Sequence, residues 1–346
     1  MLRPAQGLAG VYFPADCRIL KRAFRGGRHA LPVGASFLKI RTDGGTALLL
    51  TGLTEELRAL SCQVEEQAPM SRYTSFQIGG PADWLVTAPD AGAAEGVLSL
   101  CRQRGVPVLF LGNGTNMLVS DQGVRGVVLR LAGDGGIALQ GETIRCPAGL
   151  PLKRLCRFAR DHGLAGLEFA YGIPGTVGGA VYMNAGAYGG QMDDVLLEAE
   201  ALYPDGSLRT VSRQEMALGY RRSVFMGQEA VVVSAAVRLK PDDPAQISAR
   251  MEEFLRRRRE KQPLEYPSAG SFFKRPPGHY AGALIESSGL KGFAVGGAQV
   301  SEKHAGFVIN RGGATCADVR SLAAQVQEKV YRDHGVQLEP EVRFIG

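Results

Sequence analysis

Several residues in this 346-residue chain stand where their types and spacing invite chemistry. In YPSAGSFFKRPPG, residues 266–278, Ser271 lies between a glycine and two phenylalanines and is followed by Lys274 and Arg275. In YRRSVF, residues 220–225, two guanidiniums follow a glycine. An Arg held beside a ligand clamps a carboxylate through two parallel hydrogen bonds, which Lys cannot do, although a lone Arg in such a place is more often solvated. Glu339 and Glu341 flank Pro340 near the C-terminus, where a glutamate ordinarily faces water. Acyl transfer by Ser271 would need a nucleophile elbow and a histidine. The surroundings read AGSFF instead of GxSxG, and only His279 and His304 fall in the same region, so nothing builds a triad.

Two glycine-rich runs raise a different chemistry. LFLGNGTNMLVSD, residues 109–121, places a glycine turn after a strand, the arrangement that brings backbone N–H groups to a diphosphate. It fails the Rossmann test, because Met117 stands where a third small residue is needed and the following residues read as a strand. YGIPGTVGGAVYMNAGAYGG, residues 171–190, excludes long side chains along its path at a cost in conformational entropy. Tight sheet packing is the plain reading; close approach to a planar or phosphorylated cofactor is preferred here.

These pieces must be held by folded elements. Ala94, Val97, Leu98 and Cys101 recur at helical spacing after an Asp90 cap, between the apolar segments ADWLVTA and VPVLFLG, which predicts a strand, helix, strand unit. A helix opened by Pro151 has Leu152, Leu155, Cys156 and Ala159 on one face, and LLEAEALYPDGSLRTVS reads as two strands broken at Pro204-Asp205-Gly206. Turn formers at Lys240–Pro244 predict a domain boundary, beyond which lie a basic helix, the Ser271 motif and a helix capped by Thr315 and Asp318. In that basic helix Arg258 shares the apolar face of Met251, Phe254 and Leu255. The terminal LEPEVRFIG reads as a strand containing Glu341.

Composition bounds the class. Hydrophobic residues at 45% and charged residues at 21% describe a globular chain of two or three domains. A net charge of +6 suits anionic ligands without the dense basic stripe of a nucleic-acid binder. Six cysteines without CxxC spacing indicate neither a disulfide framework nor a metal site. No apolar run reaches membrane-spanning length and no leader is evident, so the expected location is the cytoplasm. The 46 glycines exceed an average usage of about 7% and fall in clusters.

Taken in order, SRYTSFQIGGPAD (71–83), GNGTNMLVSD (112–121), YGIPGTVGGAVYMNAGAYG (171–189), YRRSVF, PSAGSFFKRP (267–276), the stretch 282–313 and LEPEVRFIG resemble the UDP-N-acetylenolpyruvoylglucosamine reductase family, flavoenzymes of peptidoglycan precursor synthesis. The resemblance runs over residues 52–346. It implies an α+β protein with a two-subdomain FAD-binding module of the vanillyl-alcohol-oxidase type, at 52–131 and 132–241. A substrate-binding domain at 242–335 and a C-terminal strand at 336–346 returning to the active site complete it. Residues 1–51 have no assigned role. RLKPDDP leads straight into SARMEEF, so the chain is similar to the shorter type of the family, without the inserted loop bearing a substrate-capping Tyr.

The resemblance also implies the reaction. NADPH reduces FAD at N5, and the hydride then passes to the β-carbon of the enolpyruvyl ether of UDP-N-acetylglucosamine, yielding UDP-N-acetylmuramate. By motif position Ser271 is the proton donor to the α-carbon, with Arg221 and Glu341 around the carboxylate. The implied FAD contacts are Tyr73, Thr74, Gly112, Asn113, Gly114, Thr115, Asn116, Tyr171, Gly172, Ile173, Pro174, Gly175, Gly178, Gly179, Asn184, Gly186, Tyr188 and Gly189. Arg258, Lys261, Lys274 and Arg275 are candidates for the UDP-sugar diphosphate. No metal, nucleic acid or membrane partner is expected, and the chain is taken as a monomer. A sugar or alcohol oxidase of the same fold, which often tethers FAD through His or Cys, and a non-catalytic nucleotide-binding protein are the competing readings.

Overall fold

The structure is a computed structural model that describes residues 52–133, 135–228 and 230–346; the expected extension 1–51 lies outside the described residues. Three sheets of four or five strands organise the described residues. The first runs Gln63–Pro69, Pro81–Ala88, Val124–Leu131, Val108–Phe110 in spatial order. Its last two pairings are parallel. The helix Ala91–Arg104 makes the crossover, and Asp90 accepts from the Ala93 N–H at 2.8 Å, as the sequence predicts. Val97, Leu98 and Cys101 of that helix pack on Val86, Val127 and Leu129 of the sheet.

The second sheet is antiparallel, in the order Leu208–Ser212, Leu196–Leu202, Val231–Arg238, Thr143–Pro147, Ala138–Gln140. Its first hairpin turns at Tyr203–Ser207, where the Pro-Asp-Gly signal placed it. The helix Leu152–Asp161 buries Leu152, Leu155, Cys156 and Ala159 against this sheet. The third sheet, Ser268–Ser271, Phe307–Asn310, Ala298–Val300, Ala294–Val295, is backed by the helices Ala281–Ser287 and Cys316–His334. The latter starts in the expected Thr315/Asp318 capping box.

Two expectations need correction. The helix Pro244–Lys261 follows the predicted boundary, yet its Ile247 and Met251 sit in the core of the second sheet with Leu155, Leu164 and Leu239. Arg250 adds an ion pair to Glu168 at 2.7 Å. Apolar burial therefore joins most of this helix to the second unit. The terminal strand is Arg343–Ile345, so Glu341 precedes it. That strand pairs in parallel with Met117–Val119, directly after the GNGTN loop, and carries the chain's end back to the first unit.

Candidate active site

The site begins with a four-residue turn. Gly219 and Arg222 exchange backbone hydrogen bonds of 3.0 and 3.1 Å, leaving Tyr220 and Arg221 at the tip. Arg221 has φ 52°, the left-handed region that a turn of this kind needs at its third position and that a bulky residue adopts only under strain. Buried supports hold the turn in place. Asn184 Nδ2 donates to the Gly219 carbonyl at 3.0 Å, and Ser223 Oγ donates to the Tyr182 carbonyl at 2.7 Å.

The tip meets the C-terminal segment. Glu341 N–H donates to the Phe272 carbonyl at 2.8 Å and Lys274 N–H to the Glu339 carbonyl at 2.8 Å, so residues 339–341 run alongside residues 272–274. This register sets the Glu341 carboxylate on Arg221, with Nε to Oε1 at 2.5 Å. The two side chains are 23% and 10% exposed. The bare sequence reading of Glu341 as a solvent-facing residue is thus wrong: backbone pairing with the Ser271 strand pulls it inward. Asn116 Nδ2 reaches the Glu341 carbonyl at 3.2 Å and ties the same segment to the GNGTN loop.

Ser271 ends its strand one residue before Phe272. The pairing with Phe307–Asn310 slips by one residue between Ser268 and Ser271, a bulge that re-aims the following side chain. Gly270 sits in that bulge at φ 79°, and no atom lies within 4 Å of where its Cβ would be. Its glycine is required by conformation, not by close approach of a neighbour. Ser271 is exposed and its hydroxyl has no hydrogen-bond partner among the described residues.

The expected FAD residues divide by what their atoms already do. Thr74 Oγ1 donates to the Ile78 carbonyl at 3.0 Å, Tyr73 OH donates to Glu65, and both oxygen and nitrogen of the Asn184 amide are engaged by protein groups. These side chains already have protein partners, so any contact that Thr74 and Asn184 make with FAD falls to their backbone. Several glycines are likewise consumed by packing. A Cβ on Gly114 would stand 2.2 Å from the Tyr73 carbonyl, on Gly112 2.8 Å from Thr176 Oγ1, and on Gly178 2.8 Å from the Ala148 Cβ. At Gly178 tight packing, first set below cofactor approach, accounts for the glycine. Gly189 has open space instead, and a Cβ on Gly175 would meet only Ile173 Cγ2 at 3.9 Å, an ordinary contact.

The free chemistry lies in the backbone. The N–H groups of residues 112–116 have no hydrogen-bond partner among the described residues, nor do those of Gly172, Gly175 and Thr176. Consecutive unsatisfied donors in a turn attract an anion. A dinucleotide diphosphate fits this donor set, which needs no Rossmann glycine pattern and explains why Met117 is tolerated.

The cationic candidates separate as well. Lys274 is paired with Glu339 at 3.1 Å, and Arg275 stacks over the Tyr280 ring at 4.0 Å. Arg258 is half-buried without an ion-pair partner among the described residues, its Cδ over Gly172, and desolvation lowers its pKa. It lies near Tyr188, whose ring stacks on Phe254 with centroids 4.9 Å apart. Lys261 is exposed at the end of the same helix. Tyr220 was missed from sequence; the signal was its place directly after Gly219, where it and Arg221 form the tip of a two-residue turn.

Comparison with known proteins is specific. Residues 82–212 match a family model described as an FAD binding domain, and residues 262–345 match one described as the UDP-N-acetylenolpyruvoylglucosamine reductase C-terminal domain. The chain is similar to proteins named UDP-N-acetylenolpyruvoylglucosamine reductase from Syntrophomonas wolfei and Caldanaerobacter subterraneus. Identity to the first is 48%, over 82% of this chain and 95% of that one. Identity to the second is 46%, over 86% and 98%. A crystal structure of the reductase from Thermus caldophilus superposes with a TM-score of 0.71 at 37% identity, covering 82% of this chain and 99% of that one.

Proposed function

Because the chain belongs to the UDP-N-acetylenolpyruvoylglucosamine reductase family, and is an FAD-containing, NADPH-dependent oxidoreductase of peptidoglycan precursor synthesis, we propose that the Arg221, Glu341 and Ser271 constellation is its catalytic centre. The observation that carries this reading is the 2.5 Å Arg221–Glu341 pair lying beside the strand that ends in Ser271. The protein reduces UDP-N-acetylglucosamine enolpyruvate to UDP-N-acetylmuramate. The sugar oxidase and the non-catalytic alternatives are not favoured.

FAD supplies the hydride relay from NADPH to the enolpyruvyl β-carbon when bound, and the backbone donors of residues 112–116 would hold its diphosphate. The chain's own groups then act on the substrate. Arg221, with Nε fixed by Glu341 and Nη2 3.4 Å from the Gly186 carbonyl, keeps its remaining N–H groups for the substrate carboxylate. As hydride reaches the β-carbon, negative charge spreads from the α-carbon into that carboxylate. Fixed cationic donors stabilise such charge without reorganising at the moment of reaction. Ser271 gives its proton to the α-carbon; an enolate carbon at hydrogen-bond distance is basic enough, so placement matters more than hydroxyl acidity.

Arg258 is assigned to the diphosphate end of the substrate, with Lys261 beside it and Arg275 and Lys274 at the rim. The lack of an ion-pair partner for this half-buried guanidinium among the described residues supports this. The enzyme is proposed to work as a cytoplasmic monomer; no described helix is long and apolar enough to cross a membrane. Anaerobic addition of NADPH should bleach the flavin absorbance, and the UDP-enolpyruvyl sugar should restore it with formation of UDP-N-acetylmuramate. A bleached flavin that the sugar does not reoxidise overturns the substrate assignment.

A further inference from the structure

We propose that Tyr220 is a positioning residue for the second half of the reaction, its hydroxyl coupling the Glu341 carboxylate to the backbone that carries Ser271. The inference rests on the catalytic reading above. Three facts support it. Tyr220 OH lies 3.3 Å from Glu341 Oε2, the oxygen that Arg221 Nε does not take. The Arg275 backbone N–H donates to the same hydroxyl, also at 3.3 Å. The Tyr220 ring is 57% exposed, so apolar burial does not account for its position.

A phenol oxygen has one hydrogen to donate and lone pairs to accept. Accepting from Arg275 N–H directs its hydrogen to Glu341, so each carboxylate oxygen has its own donor and the plane of the group is fixed. Arg275 lies four residues after Ser271, and the intervening backbone is held by the Lys274 N–H to Glu339 carbonyl bond at 2.8 Å. One hydroxyl thus links the tip of the 219–222 turn, the C-terminal segment and the Ser271 strand. The left-handed Arg221 backbone is what turns two successive side chains toward one carboxylate, where an extended chain would send them to opposite faces.

Tyr220→Phe keeps the ring and removes both hydrogen bonds. In the FAD-loaded enzyme, NADPH should reduce the flavin at the wild-type rate, while reoxidation by the UDP-enolpyruvyl sugar should slow by about tenfold or more, as for loss of a hydrogen bond to a charged group. The substrate KM should change far less than kcat. Amide hydrogen exchange in the peptide spanning Arg275 should rise several-fold, since its N–H loses its acceptor. Wild-type reoxidation and wild-type exchange in Tyr220→Phe overturn the inference if Glu341→Gln is impaired in reoxidation. If Glu341→Gln also reoxidises normally, the catalytic reading itself fails. Unchanged flavin absorbance per mole of Tyr220→Phe verifies that the variant is folded and loaded.

Discussion

Arg221 Nε and Glu341 Oε1 meet at 2.5 Å although 120 residues separate them, and each side chain is largely withdrawn from water. Removing one partner leaves the other charge partly buried without compensation. Arg221→Ala is expected to lower stability by about 2 kcal/mol. It should slow substrate reoxidation of the flavin by about a hundredfold to a thousandfold, the usual effect of losing a donor to developing negative charge. Chemical denaturation and anaerobic stopped-flow kinetics measure the two effects. Arg221→Lys should recover stability better than rate, since Lys supplies charge without the planar fork.

Two glycines should respond differently from a third. Gly114→Ala forces a Cβ to within 2.2 Å of the Tyr73 carbonyl in a left-handed backbone, and Gly270→Ala must hold φ 79° with a side chain. The first should lower the melting temperature markedly and release FAD. The second is expected to cost about 1–2 kcal/mol and to disturb the aim of Ser271. Gly175 has ordinary φ, with only Ile173 at 3.9 Å from its Cβ position. Gly175→Ala should therefore spare the melting temperature of the FAD-free protein while weakening FAD binding. Equal FAD retention in Gly175→Ala and wild type would show that no ligand passes there.

Arg258 and Arg256 lie on one helix but in different surroundings. Arg256 pairs with Glu253 at 2.8 Å and Glu260 at 2.6 Å on an exposed face. Arg258 is half-buried over Gly172 without an ion-pair partner among the described residues. Arg258→Ala should raise the KM for the UDP-sugar about tenfold, as for a lost charge-assisted contact. Arg256→Ala should leave it unchanged, since exposed pairs contribute little. An unchanged KM in Arg258→Ala removes that residue from the substrate site.

The thiols give a pH-dependent check on burial. Desolvation raises Cys101 and Cys146 to about 12 and Cys316 to about 11, and pushes Cys62 and Cys156 up as well. The thiolate is the reactive form, so these groups should resist a thiol reagent at pH 8 and gain reactivity only as pH climbs toward their raised values. In the native protein no more than one thiol should react, Cys17 lying outside the described residues; all six should react after denaturation. Rapid reaction of a second native thiol contradicts the packing.

Much of the fold was legible because periodicity and caps are local. The 91–104 helix, the Pro-Asp-Gly hairpin and the Thr315/Asp318 box all stand where their residues predict. What was not legible depends on distant pairing. Glu341 looks like a terminal solvent-facing residue until the 339–341 segment docks on 272–274. The helix Pro244–Lys261 follows a clear turn signal, yet its apolar residues face back to the second sheet. The glycine loops announced close approach without saying of what, and in several positions it is the protein's own backbone.

The central claim is that Ser271 delivers the proton that completes reduction. The direct test is Ser271→Ala in the two-step anaerobic experiment with NADPH and then the UDP-enolpyruvyl sugar. The account predicts flavin reduction at the wild-type rate, followed by reoxidation slowed by at least about a hundredfold, the scale of a lost general acid. Reoxidation of Ser271→Ala at the wild-type rate, with normal yield of UDP-N-acetylmuramate, would contradict it.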